Sequence, residues 1–342
     1  MSPVKKVKFA IAGCGSIGKR HLAVLDAEPN AEIIAICDID EQKCKEQSAL
    51  YGNIPYYTSY EKLISETKPD IINIVTPHAL HAPMTIQACN KGFNVLVEKP
   101  MALTVADCMA MNAAADHNGV KLWVVKQNRY NVPVRLTKDA IQKGMLGKIF
   151  MVKCDVLWNR YQGYYDDSPW RGKLKEEGGA LFTQASHFID LLVWWCGDVV
   201  DVKAKIHTYN HVIETEDTGN AVLTFSNGAT GSLNWTTSVY NKNYEGSITI
   251  IAEKGTIKIG GQYLNRIEYW DVLGYPLQEG VEFIDKPNAY GKYQGTSSNH
   301  DKVIEAIIGG MHADDTNIVE GFEGMRSVDA IEKIYASARK PE

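Results

Sequence analysis

Short apolar runs recur along the first third of the chain at nearly even intervals, separated by segments with helical spacing. Residues 7–12, 33–37, 71–75, 94–97 and 121–125 are compact and largely aliphatic, the pattern of strands buried on both faces. Between them lie stretches whose apolar positions recur every three to four residues, over 17–28, 81–91 and 104–118, and Pro29-Asn30 closes the first. This alternation predicts a doubly wound parallel sheet, an α/β Rossmann domain over residues 1–126.

After residue 126 the texture changes. Helical spacing near 135–143 leads into an apolar strand over 148–158, and a second long helix is predicted over 179–195. Strand-like segments then crowd together over 202–209, 219–225, 230–237, 246–252 and 256–259, with turns such as Asn227-Gly228 between them. Runs of strands beside helices predict an α+β domain over 127–295 with a large, mostly antiparallel open sheet. Residues 300–309 and 319–338 return to helical spacing, and the segment 296–342 is expected to pack back on the first domain. A chain of 342 residues is long enough for two domains with substantial cores.

The first strand runs straight into Gly13-Cys-Gly-Ser-Ile-Gly18 and then into a helix. In that setting Gly13 allows the tight turn, Gly15 lets the backbone approach a pyrophosphate, and Gly18 permits close packing of helix on strand. Ser16 and Ile17 open the helix, whose N-terminus faces the phosphates. The next strand ends in Asp38, placed to accept hydrogen bonds from an adenine ribose and to repel a 2′-phosphate, so the cofactor is read as NAD rather than NADP. Asp38 also suits a cap for the helix that follows.

Bulk properties narrow the class without choosing a chemistry. A net charge of -5 with no long basic run argues against nucleic-acid binding. Seven cysteines, at 14, 37, 44, 89, 108, 154 and 196, lack paired metal spacing, and Cys14, Cys37 and Cys89 sit among apolar or small residues as reduced core thiols do. The histidines His21, His78, His117, His207, His211, His300 and His312 show no ligand spacing either; structural or exposed roles are expected for them, and no metal. No long apolar stretch precedes the first strand, so neither a signal peptide nor a membrane span is expected, and cytoplasm is the default location.

Two further strings carry proton-handling groups. Glu98-Lys99-Pro100 falls at the C-terminal end of a parallel strand, where open α/β sheets place their ligands, so Lys99 can reach a nicotinamide edge. A strand-ending ion pair between Glu98 and Lys99 is the plainer alternative, and the bond before Pro100 can take either isomer. The second string is Ala185-Ser-His187, within Gly178-Gly-Ala-Leu-Phe-Thr-Gln-Ala-Ser-His-Phe-Ile-Asp190.

With the glycine string, Thr76-Pro77 and His81, these segments resemble the Gfo/Idh/MocA oxidoreductase family over nearly the whole chain. The resemblance implies that Lys99 and His187 flank the reacting sugar carbon above the nicotinamide ring. That family commonly has an aspartate four residues before the histidine; Thr183 stands there, followed by Gln184. Val124-Val-Lys-Gln-Asn-Arg129, Leu157-Trp-Asn-Arg160, Tyr164-Tyr-Asp166, Trp170-Arg-Gly172 and Glu216-Asp-Thr-Gly219 are similar to a narrower branch, the WlbA-type UDP-N-acetylglucosaminuronate 3-dehydrogenases, in which threonine or asparagine at that place is usual. This likeness implies NAD-dependent oxidation of the C3 hydroxyl of a UDP-linked N-acetylated sugar, on the route to bacterial surface polysaccharides, by a homotetramer. UDP-N-acetylglucosamine, a free sugar or inositol are alternative substrates, and a dinucleotide-binding sensor is the alternative outside the enzymes.

The residue types suit the chemistry. Oxidising a secondary alcohol needs a group to take the hydroxyl proton, and histidine, ordinarily titrating near about 6.5, does so near neutrality. Lysine, ordinarily near about 10.4, suits a developing oxyanion, although burial can exchange the two roles. The resemblance further implies cofactor contacts at Thr76, His81, Glu98, Gln127, Trp170 and Arg171, and substrate contacts at Asn128, Arg129, Arg160, Tyr164, Thr183 and Gln184. Arg160 lies among Trp158, Tyr161, Tyr164 and Tyr165, a setting that suits a carboxylate or diphosphate and equally a cation–π cluster. Tyr240, Lys242 and Asn243 suit contact with a uridine diphosphate or plain hairpin solvation.

Overall fold

The computed structural model describes residues 6–339 apart from 279, 282, 284–286, 290–293 and 313–317. The chain divides into two compact units, one from residues 1–126 with 300–325 and the other from 127–299 with 326–342.

In the first unit, β1 (Val7–Ala12), β2 (Ala31–Cys37), β3 (Tyr56–Tyr57), β4 (Ile71–Ile74), β5 (Asn94–Val97) and β6 (Leu122–Val124) form a parallel sheet in the order β3-β2-β1-β4-β5-β6. All of β4 is buried, as strands covered on both faces require. Helices α1 (Ser16–Ala27), α2 (Glu41–Leu50), α3 (Tyr60–Glu66), α4 (His81–Asn90) and α5 (Val105–His117) make the connections. Side-chain oxygens of Asp40, Ser59 and Thr104 cap α2, α3 and α5. The sequence pattern does not reveal α2, because it buries only Cys44, Gln47 and Ser48 and so has no apolar stripe. From β3 the chain crosses to the far side of β1, which puts the C-terminal ends of β1 and β4 at the switch point of the sheet. Val124 donates its N–H to the Val319 carbonyl at 2.9 Å and Trp123 bridges Glu320, covering the β6 edge.

The second unit begins with α6 (Val132–Gln142), β7 (Ile149–Leu157), the short α7 (Gln162–Asp166) and α8 (Ser186–Cys196). Strands β8 (Val199–His207), β9 (Thr218–Phe225), β10 (Thr230–Thr236), β11 (Glu245–Ala252), β12 (Gly255–Gly260) and β13 (Arg266–Val272) join β7 in a seven-stranded sheet, ordered β13-β12-β11-β7-β10-β9-β8. Every pair is antiparallel except β7 with β10. One face carries the core: Trp235 covers Gly219, where a Cβ would lie 2.2 Å from the indole, and Phe188 of α8 meets Trp158 edge-on at 5.7 Å. β13 escaped the sequence pattern because it is an edge strand in which only Val272 is buried, and β14 (Pro287–Ala289) pairs with β15 (Gln294–Ser297) in a separate two-stranded sheet among the described residues.

The helix expected over 179–195 is broken near its start. Gly178 and Gly179 take φ of 88° and 122°, a π-helical turn spans Leu181–Ala185, and only then does α8 begin. At the end of the chain, α9 (His300–His312) belongs to the first unit, and α10 (Gly321–Ala338) is shared at residue 325. Its later turns bind the second unit through Arg326 to Asp198 at 2.6 Å and Lys333 to the Val199 carbonyl at 2.8 Å. No helix of the described residues is long and apolar enough to cross a membrane.

Candidate active site

The glycine string forms a cradle whose shape explains each glycine. Gly13, at φ 114°, donates its N–H to the Cys37 carbonyl at 2.7 Å, and a Cβ on it would lie 2.5 Å from the Val75 carbonyl oxygen. A Cβ on Gly18 would lie 2.0 Å from the Gly13 oxygen, so the first turn of α1 packs directly on the loop. Around Gly15 there is nothing within 4 Å of such an atom: the approach there is open. Gly15 also holds the N-cap position of α1 without a side-chain cap, which leaves the amides of the first turn, from Ser16 and Ile17 onward, for an anionic group.

Asp38, just beyond β2, accepts the Cys14 N–H at 2.8 Å and the Asp40 N–H at 2.9 Å. Its carboxylate is thereby fixed against the cradle. The helix-capping alternative fails, because Asp40 is the residue that caps α2, accepting from Gln42 and Lys43. An open approach at one glycine, an uncapped helix start and a carboxylate at the end of the second strand together fit a dinucleotide without a 2′-phosphate.

The Glu98 segment is held from several sides. Glu98 is buried, accepts the Lys99 N–H with Oε2 at 2.9 Å, and has its Oε1 3.0 Å from His21 Nε2 and 3.3 Å from His300 Nε2. Its carboxylate thus meets two histidines assigned on sequence grounds only to structural or exposed roles. Lys99 is half-buried, and the Lys99-Pro100 bond is cis. His81 is fully buried, with Nδ1 2.7 Å from the Pro100 carbonyl and Nε2 2.9 Å from that of Thr76. Burial pushes its pKa down against the pull of those carbonyls, and a neutral ring donates to only one of them. Thr76 itself lies 3.5 Å from Met84 Sδ.

In the second unit, His187 sits buried in the first turn of α8, directly after the π-helical turn. Thr183 in that turn donates its hydroxyl to Glu177 at 2.8 Å, and the other Glu177 oxygen accepts the Gly172 N–H. Glu177 was invisible in the sequence because it ends a charged run, Lys173-Leu-Lys-Glu-Glu177, that reads as a solvated face; only 1% of it is exposed. Gln184 donates to the Tyr164 hydroxyl at 3.3 Å.

Arg129 forms a two-point ion pair with Asp190, Nε to Oδ2 at 2.8 Å and Nη2 to Oδ1 at 3.0 Å, and its guanidinium lies 4.6 Å over Trp194. Arg160 is also buried: Nη1 donates to the Asn159 carbonyl at 2.6 Å and to Asn243 at 3.3 Å, and the guanidinium lies 5.4 Å from Trp158 and 5.3 Å from Tyr164. Arg171 covers Tyr164 at 4.1 Å and Trp170 at 5.5 Å. The cation–π cluster is therefore real. Asn243 serves as its scaffold, whereas Tyr240 and Lys242 are exposed on the same connection. Two buried polar atoms of neighbouring residues, Gln127 Oε1 and Asn128 Nδ2, have no hydrogen-bond partner among the described residues, the condition of atoms that await a ligand or water.

Under the π-helical turn lies a further buried acid that sequence reading did not single out for a role. Glu216 Oε1 accepts from Tyr335 at 2.7 Å, from the Trp235 indole at 3.2 Å and from the Leu181 N–H at 3.3 Å. Burial raises its pKa to about 7.

The parallel sheet with its glycine cradle, joined in sequence to a mostly antiparallel sheet unit, defines a dinucleotide-dependent oxidoreductase. Residues 7–126 match the oxidoreductase family model with an NAD-binding Rossmann fold, and residues 134–258 match the GFO/IDH/MocA C-terminal domain. The chain belongs to the GFO/IDH/MocA oxidoreductase family. Among solved structures it is similar to the WlbA dehydrogenase of Bordetella pertussis in complex with NADH and UDP-GlcNAcA, at 37% identity and a TM-score of 0.89 over 98% of this chain and 97% of that one. WlbA of Chromobacterium violaceum, also in complex with NADH and UDP-GlcNAcA, is similar at 38% identity and a TM-score of 0.90, over 99% and 95% of the two chains. A 1-carboxy-3-chloro-3,4-dihydroxycyclohexa-1,5-diene dehydrogenase of Comamonas testosteroni is 28% identical over 67% of this chain, and the matched stretch spans only 57% of that relative.

Proposed function

We propose that this protein oxidises the C3 hydroxyl of UDP-N-acetylglucosaminuronate to the 3-keto sugar with NAD, in making precursors of bacterial surface polysaccharides. The observation that carries this reading is the end-to-end likeness, at 37% and 38% identity, to two WlbA dehydrogenases described with NADH and that sugar nucleotide. NAD, when bound, supplies the acceptor for the hydride. The rest falls to this chain. Gly13, Gly15 and Gly18 with the start of α1 bind the pyrophosphate, and Asp38 binds the adenine ribose. His187 takes the hydroxyl proton while Lys99 stabilises the charge developing on oxygen. Thr76, His81, Gln127, Trp170 and Arg171 are assigned to the cofactor's side.

Asn128, Tyr164, Thr183 and Gln184 are assigned to the sugar. Arg129 forms a two-point ion pair with Asp190, and Arg160, whose guanidinium lies against Trp158 and Tyr164, is assigned to an anionic group of the substrate. The assembly proposed is a cytoplasmic homotetramer. Met151, Val222, Ile251 and Tyr269, which share one face of the seven-stranded sheet by register and stay exposed, support burial of that face between copies.

Purified protein is incubated with NAD and, separately, UDP-N-acetylglucosaminuronate, UDP-N-acetylglucosamine and myo-inositol while NADH absorbance is followed. Fastest turnover on the uronate is expected. Turnover on inositol alone overturns the sugar-nucleotide reading, and preference for UDP-N-acetylglucosamine overturns the assignment of the carboxylate.

A further inference from the structure

Three side chains from separate elements of the first unit converge on the peptide that precedes Lys99. Glu98 follows β5, His21 lies in α1, and His300 opens α9; their side chains are 5%, 1% and 1% exposed. The two imidazoles meet edge to face at 5.3 Å; His21 offers Nε2 to Glu98 Oε1 at 3.0 Å, and His300 Nε2 lies 3.3 Å from the same oxygen as an ion-pair neighbour rather than in hydrogen-bond geometry. Asn73 of β4 lies 3.3 Å from His21 Nδ1 and sets the far side of that ring. A carboxylate taken out of water needs donors or counter-charge. Burial pushes the Glu98 carboxyl up, but the two histidines outweigh it and hold Glu98 well below the usual carboxylate range.

This leaves Oε2 for one task, the backbone N–H of Lys99 at 2.9 Å. On the other side of Lys99, His81 Nδ1 lies 2.7 Å from the Pro100 carbonyl. The backbone from which the lysine side chain projects is thus tied down at both ends. We propose that Glu98, clamped by His21 and His300, is a positioning residue for Lys99, fixing the peptide from which its ammonium reaches the substrate. This differs from the cofactor contact that family likeness implies for Glu98, and it rests on the reading of Lys99 as a catalytic group. Misplacing a reacting group by about 1 Å costs up to about 100-fold in rate.

The test compares Glu98→Ala, Glu98→Gln and Lys99→Met in the full chain. Glu98→Gln keeps one acceptor for the Lys99 amide, so it serves as the rescue. For Glu98→Ala we expect kcat to fall about 10- to 100-fold while the Kd for NADH, read by fluorescence, stays within about threefold; Glu98→Gln recovers most of the loss. Hydrogen exchange of the peptide containing Lys99 should speed up in Glu98→Ala while that of α1 does not, a readout independent of the substrate assignment. Where Glu98→Ala does not fold, His300→Ala, which removes one clamp and leaves Glu98 in place, is read in the same way. Unchanged exchange at Lys99, or kcat and NADH affinity falling together, overturns the proposal. Normal turnover in Glu98→Ala beside a dead Lys99→Met does so too while leaving the catalytic reading intact; normal turnover in Lys99→Met instead removes that reading. The three ligand atoms also lie within 4.8 Å of one another, so a stoichiometric divalent metal in the purified protein, lost in His300→Ala, assigns the cluster to metal binding and overturns it as well.

Discussion

Thr183 donates its hydroxyl to Glu177 across 2.8 Å, tying the π-helical turn before His187 to a buried carboxylate six residues upstream. Removing one partner of a buried hydrogen bond costs about 1–3 kcal/mol. Thr183→Val should therefore lower unfolding free energy by about 2 kcal/mol in urea titrations, whereas Thr183→Ser should stay within about 0.5 kcal/mol of the parent. Equal stability of the two variants contradicts a stabilising role for this contact.

Lys99→Met and His187→Ala should each cut turnover by about 100-fold or more while leaving NADH binding intact, since general acid–base and charge-stabilising groups typically contribute that much. Steady-state rates with fluorescence titration of NADH check both. Wild-type turnover in both variants removes the proposed mechanism.

In the proposed reading, Asp38 discriminates between the cofactors by charge. Asp38→Asn keeps an acceptor for the amide of Cys14 and removes the repulsion against a 2′-phosphate, so the ratio of kcat/KM for NADP to that for NAD should rise about tenfold or more. An unchanged ratio means that something other than Asp38 selects the cofactor.

Glu216 makes stability depend on pH in a defined direction. Its folded pKa, about 7, lies above the ordinary 4.5, so the protonated acid contributes fully below about 4.5 and the contribution is lost as pH rises through about 7. The shift corresponds to something on the order of 3 kcal/mol. Glu216→Gln, which mimics the protonated form, should unfold at a higher temperature than the parent at pH 8 and show little difference at pH 5. A difference that does not grow with pH rules this out.

His81 and His300 act with the opposite slope. Burial holds both pKa values below the ordinary 6.5, so the stability that they contribute is complete above about 6.5 and declines as pH falls below it, when the unfolded chain binds protons that the folded one refuses. Thermal unfolding of the Glu216→Gln variant, where the opposing acid is absent, should show the Tm falling from pH 7 to 5.5. A flat profile there contradicts the assignment.

Legibility in the sequence followed local periodicity. Strands β1, β4 and β5 were plain because each is buried on both faces and so reads as an unbroken apolar run. Edge strand β13 and the polar helix α2 were not, since a segment that buries little carries little pattern. Among the candidate site residues, the turn at Gly13, Gly15 and Gly18 and the strand-end carboxylate of Asp38 were legible because their local geometry is set within one βαβ unit. Glu177, His21, His300 and Tyr335 were not: each takes its meaning from a partner distant in sequence or hidden by the charge around it.

The amino-acid order alone determined a glycine-rich turn between strand and helix at Gly13, a strand end at Lys99 and a helical segment carrying His187, because strand burial, tight turns and helical spacing are local properties. Only the tertiary structure decided that Glu98 binds two histidines and the Lys99 amide, that Arg129 is neutralised by Asp190, and that the last helix is divided between the two units. Burial and pairing are set by which elements pack together, and a buried charge is held by whatever donors the fold brings to it.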